Sequence, residues 1–208
     1  MDTRKIIALL FSAIIFSINT GCAQEQTSGS SSAAEVTTAV EEQTTTAPVT
    51  EAASESKELD FNKLSTFELT SDDLHDGIWD TVITKTANGE NRSPQLSWNP
   101  VDGASCYAIF MVDTSATNWL HWKSVTESET VLPAGWAPSG EYVGPYPPSG
   151  THDYEVYVFA LREQPERIKG SFDSTNPKLF EFAKDMDGEN EDNIISYGHL
   201  TGTYTHGD

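Results

Sequence analysis

The chain of 208 residues carries 32 acidic side chains against 12 basic ones, a net charge of −20 at pH 7, and only two cysteines. Nucleic acids and anionic membrane surfaces bind basic faces, so the charge argues against either as a partner of the folded surface. Two cysteines exclude a disulfide scaffold.

Residues 1–22 open with Arg4 and Lys5, run through apolar Ile6 to Ile18 and end in Asn19-Thr20-Gly21-Cys22. This is the pattern of a secretory signal peptide, too short to span a bilayer as a helix. The small residues before Cys22 resemble a bacterial lipoprotein signal, although Asn19 stands where an aliphatic residue is usual. That resemblance implies lipidation of Cys22 and an extracytoplasmic protein held to the cell membrane by an N-terminal lipid anchor, with plain secretion as the alternative. From Ala23 to Glu58 the chain is Thr, Ser, Ala and Glu, with seven Glu, one Lys and almost nothing large to bury. Such a composition cannot offset the entropy of ordering, so residues 23–58 read as a disordered linker. Residues 59–208 remain as the folding unit, long enough to bury one core.

Within that unit Phe67-Glu68-Leu69-Thr70 alternates as an outer strand does, and Ser71-Asp72-Asp73 and Asp76-Gly77 are turn signals. Ile78 to Thr84 reads as a strand running into the turn Asn88–Asn91. Arg92 to Trp98 reads as a proline-started strand ending in a core anchor, Trp98. Ser105 to Asp113 is almost continuously apolar, the mark of a central strand covered on both faces, with Cys106 a buried thiol inside it. Asp113 closes the run, where an acid ordinarily serves as a cap or turn former. After a polar loop, Trp119 to Val125 is a strand in which simple alternation sends His121 to the side opposite Leu120 and Trp122. Val131 to Gly140 reads as a loop.

Glu141 to Gly150 is a stiff loop, because Pro145, Pro147 and Pro148 fix their own φ. It feeds the strand Asp153–Arg162, with Tyr154, Val156, Val158 and Ala160 on one face. His152 and Tyr154 share one side of the chain where the loop enters the strand, which is how a fold presents two polar groups to a pocket. Asn176 as N-cap and Pro177 at the first position start a helix carrying Leu179, Phe180, Phe182, Ala183 and Met186, which gives out near Asp187-Gly188. Ile194 to Tyr204 is a last, glycine-interrupted strand. About seven short strands and one late helix indicate a mainly β fold: an antiparallel two-sheet β-sandwich with a few peripheral helices.

Five stretches occur in an informative order: Asn91-Arg92-Ser93-Pro94-Gln95-Leu96-Ser97-Trp98, the strand ending in Asp113, His121-Trp122, Gly144-Pro145-Tyr146-Pro147-Pro148-Ser149-Gly150-Thr151-His152-Asp153-Tyr154, and Leu200-Thr201-Gly202-Thr203-Tyr204. Together they resemble the phosphatidylethanolamine-binding protein family, in its bacterial Raf-kinase-inhibitor-like branch, over residues 66–205. The resemblance implies a two-sheet β-sandwich with a small anion-accepting pocket at one end. The family's pocket residues carry over to Asp113, His121, the backbone of Tyr146 and Pro147, His152 and Tyr154, and this reverses the plain reading of Asp113 as a cap. Two imidazoles and a phenol supply donors for a phosphate-like or carboxylate group, and a carboxylate orients an imidazole. The chain departs from the family pattern twice. Asp-Pro-Asp-Ala-Pro is here Asp113-Thr114-Ser115-Ala116-Thr117, and His-Arg-Tyr is here His152-Asp153-Tyr154.

These features point to a non-enzymatic binding protein, tethered at the surface, that takes a small anionic or phosphorylated ligand such as a phospholipid headgroup and uses no cofactor. One alternative is a metal-dependent hydrolase with Asp113, His121 and His152 as a two-His, one-carboxylate site. Another is a glycan-binding module that stacks sugars on Trp119, Trp136 and Tyr146. The linker reading makes a direct prediction: limited proteolysis strips residues 23–58 and leaves a stable core starting between Leu59 and Phe67, as mass spectrometry of the fragments would show. A protected fragment starting well inside the linker would contradict it.

Overall fold

The computed structural model describes residues 58–208. The expected signal peptide, the lipidation site Cys22 and all of the expected linker except Glu58 lie outside the described residues. Ten strands and one α-helix follow in chain order: β1 (Ser65–Thr66), β2 (Leu69–Thr70), β3 (Leu74–His75), β4 (Ile78–Trp79), β5 (Leu96–Trp98), β6 (Cys106–Asp113), β7 (Trp119–Thr126), β8 (Val131–Leu132), β9 (Thr151–Leu161), α1 (Leu179–Asp185) and β10 (Ile194–Thr205). Single 3₁₀ turns occur at Phe61–Lys63, Thr81–Ile83 and Thr114–Ala116.

The large sheet runs β3-β4-β10-β9-β6-β7, with β1 also on β10, and a small antiparallel sheet runs β2-β5-β8. The large sheet is mixed, which corrects the purely antiparallel expectation. One edge of β10 pairs antiparallel with β9 along its whole length, while the other edge pairs in parallel with β1, at Ser65 and Thr66, and with β4, at Ile78. Parallel neighbours need a long crossover, and here almost the entire domain is that crossover. Two-residue strands carry no periodicity from which their direction could be read.

Two buried clusters flank the large sheet. Alternation along β6 sends Tyr107, Ile109 and Met111 toward the small sheet, where they meet Trp79, Trp98, Trp122, Tyr154, Val156 and Val158. Cys106, Ala108, Phe110 and Val112 point to the other side and meet Tyr157, Phe159 and Leu161 under Leu179 and Ala183 of α1. The expected face of β9 and the Trp98 anchor therefore hold. Cys106 is buried as expected, and burial pushes its thiol up.

Three local expectations change. Ile78–Thr84 is a strand only at Ile78 and Trp79, because Thr84 turns inward and its hydroxyl donates to the Thr81 carbonyl at 2.7 Å, closing a 3₁₀ turn. Helix α1 starts at Leu179 rather than beside Asn176. The Asn176 amide is committed instead to the preceding loop, accepting from Ser171 N–H and donating to the Ser171 and Ser174 carbonyls. The expected loop 131–140 begins with β8, which pairs with β5.

Two further contacts lock the chain beside the small sheet and beneath the proline loop. Arg92 holds Asp73 through two hydrogen bonds, 2.7 and 3.2 Å, and Asp73 also accepts from Gln95 N–H. The Asp73 carboxylate holds the Arg92 guanidinium above its ordinary range, against the opposing effect of burial. Gly144 lies directly on the backbone at Ile83, where a Cβ would stand 2.1 Å from the Ile83 carbonyl oxygen. Replacing Gly144 by Ala is therefore expected to destabilise by about 3 kcal/mol or more, because a backbone rather than a side chain is in the way. Gly150→Ala, at φ +68 with open space around it, should cost about 1–2 kcal/mol. Urea unfolding of the two variants checks the order.

Candidate functional site

β6 lies between β7 and β9 and places Asp113 opposite Trp119 on one side and Tyr154 on the other. His152 is two residues before Tyr154 on β9, so its imidazole reaches the same end of the sheet, stacked beside the Tyr154 ring at 6.4 Å. His121 arrives by a different device. Met111 pairs with Trp122, yet Val112 pairs with Leu120, so His121 is an extra residue in β7. This bulge corrects the simple alternation: Leu120 joins the helix-side core, Trp122 joins the inter-sheet core, and the chain between them re-aims His121 toward Tyr154. The His121 ring meets Tyr154 edge-on at 5.3 Å and Tyr146 at 5.6 Å.

The hydrogen bonds fix both imidazoles by the same nitrogen. His152 Nδ1 is 2.6 Å from Asp113 Oδ2, and His121 Nδ1 is 2.8 Å from the Val143 carbonyl. Neither acceptor has a hydrogen to give, so each Nδ1 carries one and each Nε2 is left for other partners. His121 is 2% exposed. Burial holds it below the ordinary histidine range, against the Val143 carbonyl and the charges of Asp113 and Asp173. Asp113 Oδ1 and the Tyr154 hydroxyl are buried without a hydrogen-bond partner. Burial first, and then Asp113, push the Tyr154 phenol upward, so it stays protonated.

Tyr146 is half-buried, and its hydroxyl donates to Asp173 Oδ1 at 2.6 Å, which also accepts from Trp119 Nε1 at 3.1 Å. Burial raises the Asp173 carboxyl, but these two bonds, with Lys85 and His121, outweigh it and hold the group below its ordinary value. The Lys85 ammonium lies over the Tyr146 ring, 5.3 Å from its centre. Pro147 is buried and its carbonyl is 2.8 Å from His206 Nδ1. The structure thus brings Asp113, His121, His152, Tyr154 and Tyr146 together, while one lone pair of Pro147 is already taken. Asp173, Lys85 and His206 were missed by the sequence reading. Each reaches the cluster through a loop or the last turn, and no periodicity marks it.

Neither alternative reading gains a geometry. Among the described residues no three His, Cys, Asp or Glu side chains are grouped as metal ligands. Trp119 meets Tyr146 at 89° rather than coplanar, and Trp136 packs on Trp122 at the inter-sheet core.

The family model for phosphatidylethanolamine-binding proteins matches residues 70–205, and the chain belongs to this family. A UPF0098 protein of Methanothermobacter thermautotrophicus is 37% identical over 97 residues, a match covering 36% of this chain and 64% of that relative. The match thus spans a little under two thirds of that relative's length. Among solved structures the chain is similar to Escherichia coli YbcL, described as a member of the mammalian PEBP family, at 23% identity and a TM-score of 0.52, covering 68% of this chain and 99% of that one. It is also similar to CT736 of Chlamydia trachomatis, described as a putative phosphatidylethanolamine-binding protein homologue, at 24% identity and a TM-score of 0.50, covering 67% and 97%. At these identities the two structures support the fold.

The Asp173 bonds predict a pH signature. A carboxyl held below its ordinary range adds stability above that range and loses it as pH falls through the lower folded value. Asp173→Asn should therefore be less stable than wild type at neutral pH, by about 1 kcal/mol for a group only half-buried. The gap should close on acidification below about pH 4. Thermal melts across that range would show it, and a constant gap would count against the assignment.

Proposed function

We propose that this protein is a non-enzymatic binding protein that takes a small anionic or phosphorylated ligand at the Asp113/His121/Tyr146/His152/Tyr154 cluster, outside the cytoplasm and tethered through a lipidated Cys22. Membership of the family supports small-ligand binding in general terms. The observation that carries the finer reading is the 2.6 Å contact of Asp113 Oδ2 with His152 Nδ1. It places a hydrogen on Nδ1 and leaves Nε2 as the free edge, which in the charged ring is an N–H donor for an oxyanion. His152 is 16% exposed in its side chain while Asp113 is 5% exposed. The donor is therefore the accessible member of the pair and the carboxylate its support. The tether follows from the sequence around Cys22 and the linker composition, and Arg4 and Lys5 before the apolar run set its direction.

Lower pH adds protons to imidazoles and hence donors, so affinity for an oxyanion should fall as pH rises from about 5.5 to about 8. The large negative charge of the domain opposes any anion, and moderate salt should help binding by screening it. His152→Ala removes the donor at a loop–strand junction; it should leave the fold intact and weaken binding by about 1–3 kcal/mol. Calorimetric titration of phosphate, acetate and glycerophosphoethanolamine into wild type and this variant measures both effects. Wild-type-like binding by His152→Ala, or equal affinity at the two pH values, would remove the imidazole from the site.

A further inference from the structure

We infer that this site selects oxyanions that bring their own proton, so that hydrogen phosphate and protonated phosphate monoesters are bound in preference to sulfate and to phosphodiesters. The inference rests on the reading of the cluster as an oxyanion site and specifies which oxyanions fit. Its basis is the number of acceptors that stand beside the two donors, His152 and Tyr154. His121 Nδ1 faces the Val143 carbonyl at 2.8 Å and must carry the ring's hydrogen. In the neutral ring Nε2 is then a bare lone pair. The groups around this ring are Asp113 from β6, Tyr154 from β9, Tyr146 from the proline loop, and Asp173 from the loop before α1. The two carboxylates favour charging the ring, and its burial disfavours it and prevails. Asp113 Oδ1 and the Tyr154 hydroxyl are both buried with no hydrogen-bond partner, the first a second acceptor and the second, kept protonated by burial and by Asp113, a donor. Tyr146, a phenol that could have donated to a ligand, already spends its hydrogen on Asp173.

A fully ionised oxyanion can accept from His152 and from the Tyr154 hydroxyl, but it still sets lone pairs against the His121 nitrogen and the Asp113 carboxylate. An oxyanion with one O–H converts one of those repulsions into a hydrogen bond, and an accepting site rejects the analogue that lacks the donor. Sulfate and phosphate share shape and size, but near neutral pH only phosphate keeps an O–H. A phosphodiester has none. A monoester has one only below its second ionisation, near pH 6.

The experiment is calorimetric titration of inorganic phosphate, sulfate, methyl phosphate and dimethyl phosphate into the full chain at about pH 5.5 and about pH 8. Phosphate should bind on the order of tenfold or more tightly than sulfate at both pH values. Methyl phosphate should bind at the lower pH and lose most of its affinity at the higher, and dimethyl phosphate should be weak at both. Sulfate or dimethyl phosphate matching phosphate would overturn the selectivity while leaving oxyanion binding in place; no heat from any of the four would overturn the oxyanion reading itself. His121→Gln offers an amide N–H in place of the lone pair and should shrink the phosphate-to-sulfate ratio, whereas an unchanged ratio would count against His121. Should that variant fail to fold, nitrogen NMR of wild-type His121 still decides. A neutral ring with hydrogen on Nδ1 is expected at neutral pH, and a charged ring or hydrogen on Nε2 would overturn the proposal.

Discussion

A single extra residue in β7 is the constraint on which the site depends. Without the bulge at His121, Leu120 and Trp122 would share one face, and one of the two buried clusters would lose its member from β7. The bulge satisfies both cores and leaves one side chain between them to be aimed elsewhere. Its backbone is held from outside: the His121 carbonyl accepts from Val143 N–H at 2.8 Å, and Leu120 exchanges bonds with Asp173 and Ser174. The loops that close around the cluster are thus tied to the residue that creates it.

The proline loop is fixed from beneath by contacts that tolerate no extra atoms. Gly144 N–H donates to the Asn91 side chain at 2.7 Å, and Lys85 N–H donates to the Pro145 carbonyl at 3.0 Å. Asn91 sits at φ +53, a conformation that Asn tolerates better than most residues. On the other side, Gly202 of β10 lets Trp79 approach β9; a Cβ there would stand 2.6 Å from Trp79 Nε1. That nitrogen donates to the Tyr154 carbonyl at 3.1 Å. Tyr154 is consequently held at its backbone by Trp79 as well as by β6 and β10, and at its ring by two imidazoles, so its unpartnered hydroxyl is fixed in position by packing rather than by a bond of its own.

What was legible in the sequence follows from where the information is local. The long strands β6, β7, β9 and β10 carry enough apolar pattern to be read as strands, and the apolar face of β9 lies where it was expected. The two-residue strands β1 and β4 set the mixed topology and carry too few residues to show a direction. Asp113, His121, His152 and Tyr154 were legible through ordered motifs, and their convergence is a consequence of register: Asp113 faces Tyr154 across β6 and β9. The bulge at His121 was not legible, because Trp119 to Val125 fits plain alternation and only the partner strand reveals the slip. Asp173 was hidden for a related reason. It lies in a loop at φ +52, and its role depends on which aromatic donors the fold brings to it.

The two departures from the family pattern prove to be one contact. Asp153 N–H donates to Ser115 Oγ at 3.0 Å, the Ser115 hydroxyl faces Asp153 Oδ2 at 3.4 Å, and Thr114 donates to the Asp153 carbonyl. The pattern has an acid and an arginine at these two positions, and this chain has a hydroxyl and an acid. A pair of opposite charges is thus replaced by one that is net negative, with the hydroxyl supplying the hydrogen that the guanidinium would have given. The backbone follows the same change. Thr117 stands at φ +55, which a proline, locked near −65°, cannot adopt. The loop leaving Asp113 therefore takes a path closed to the proline-bearing version. The result is one more uncompensated carboxylate where β9 begins, one residue before Tyr154, in a chain of net charge −20. For an oxyanion of the kind proposed, that charge would weaken the hold on the fully ionised form, and a proton on the ligand would be the means of bringing two negative groups together.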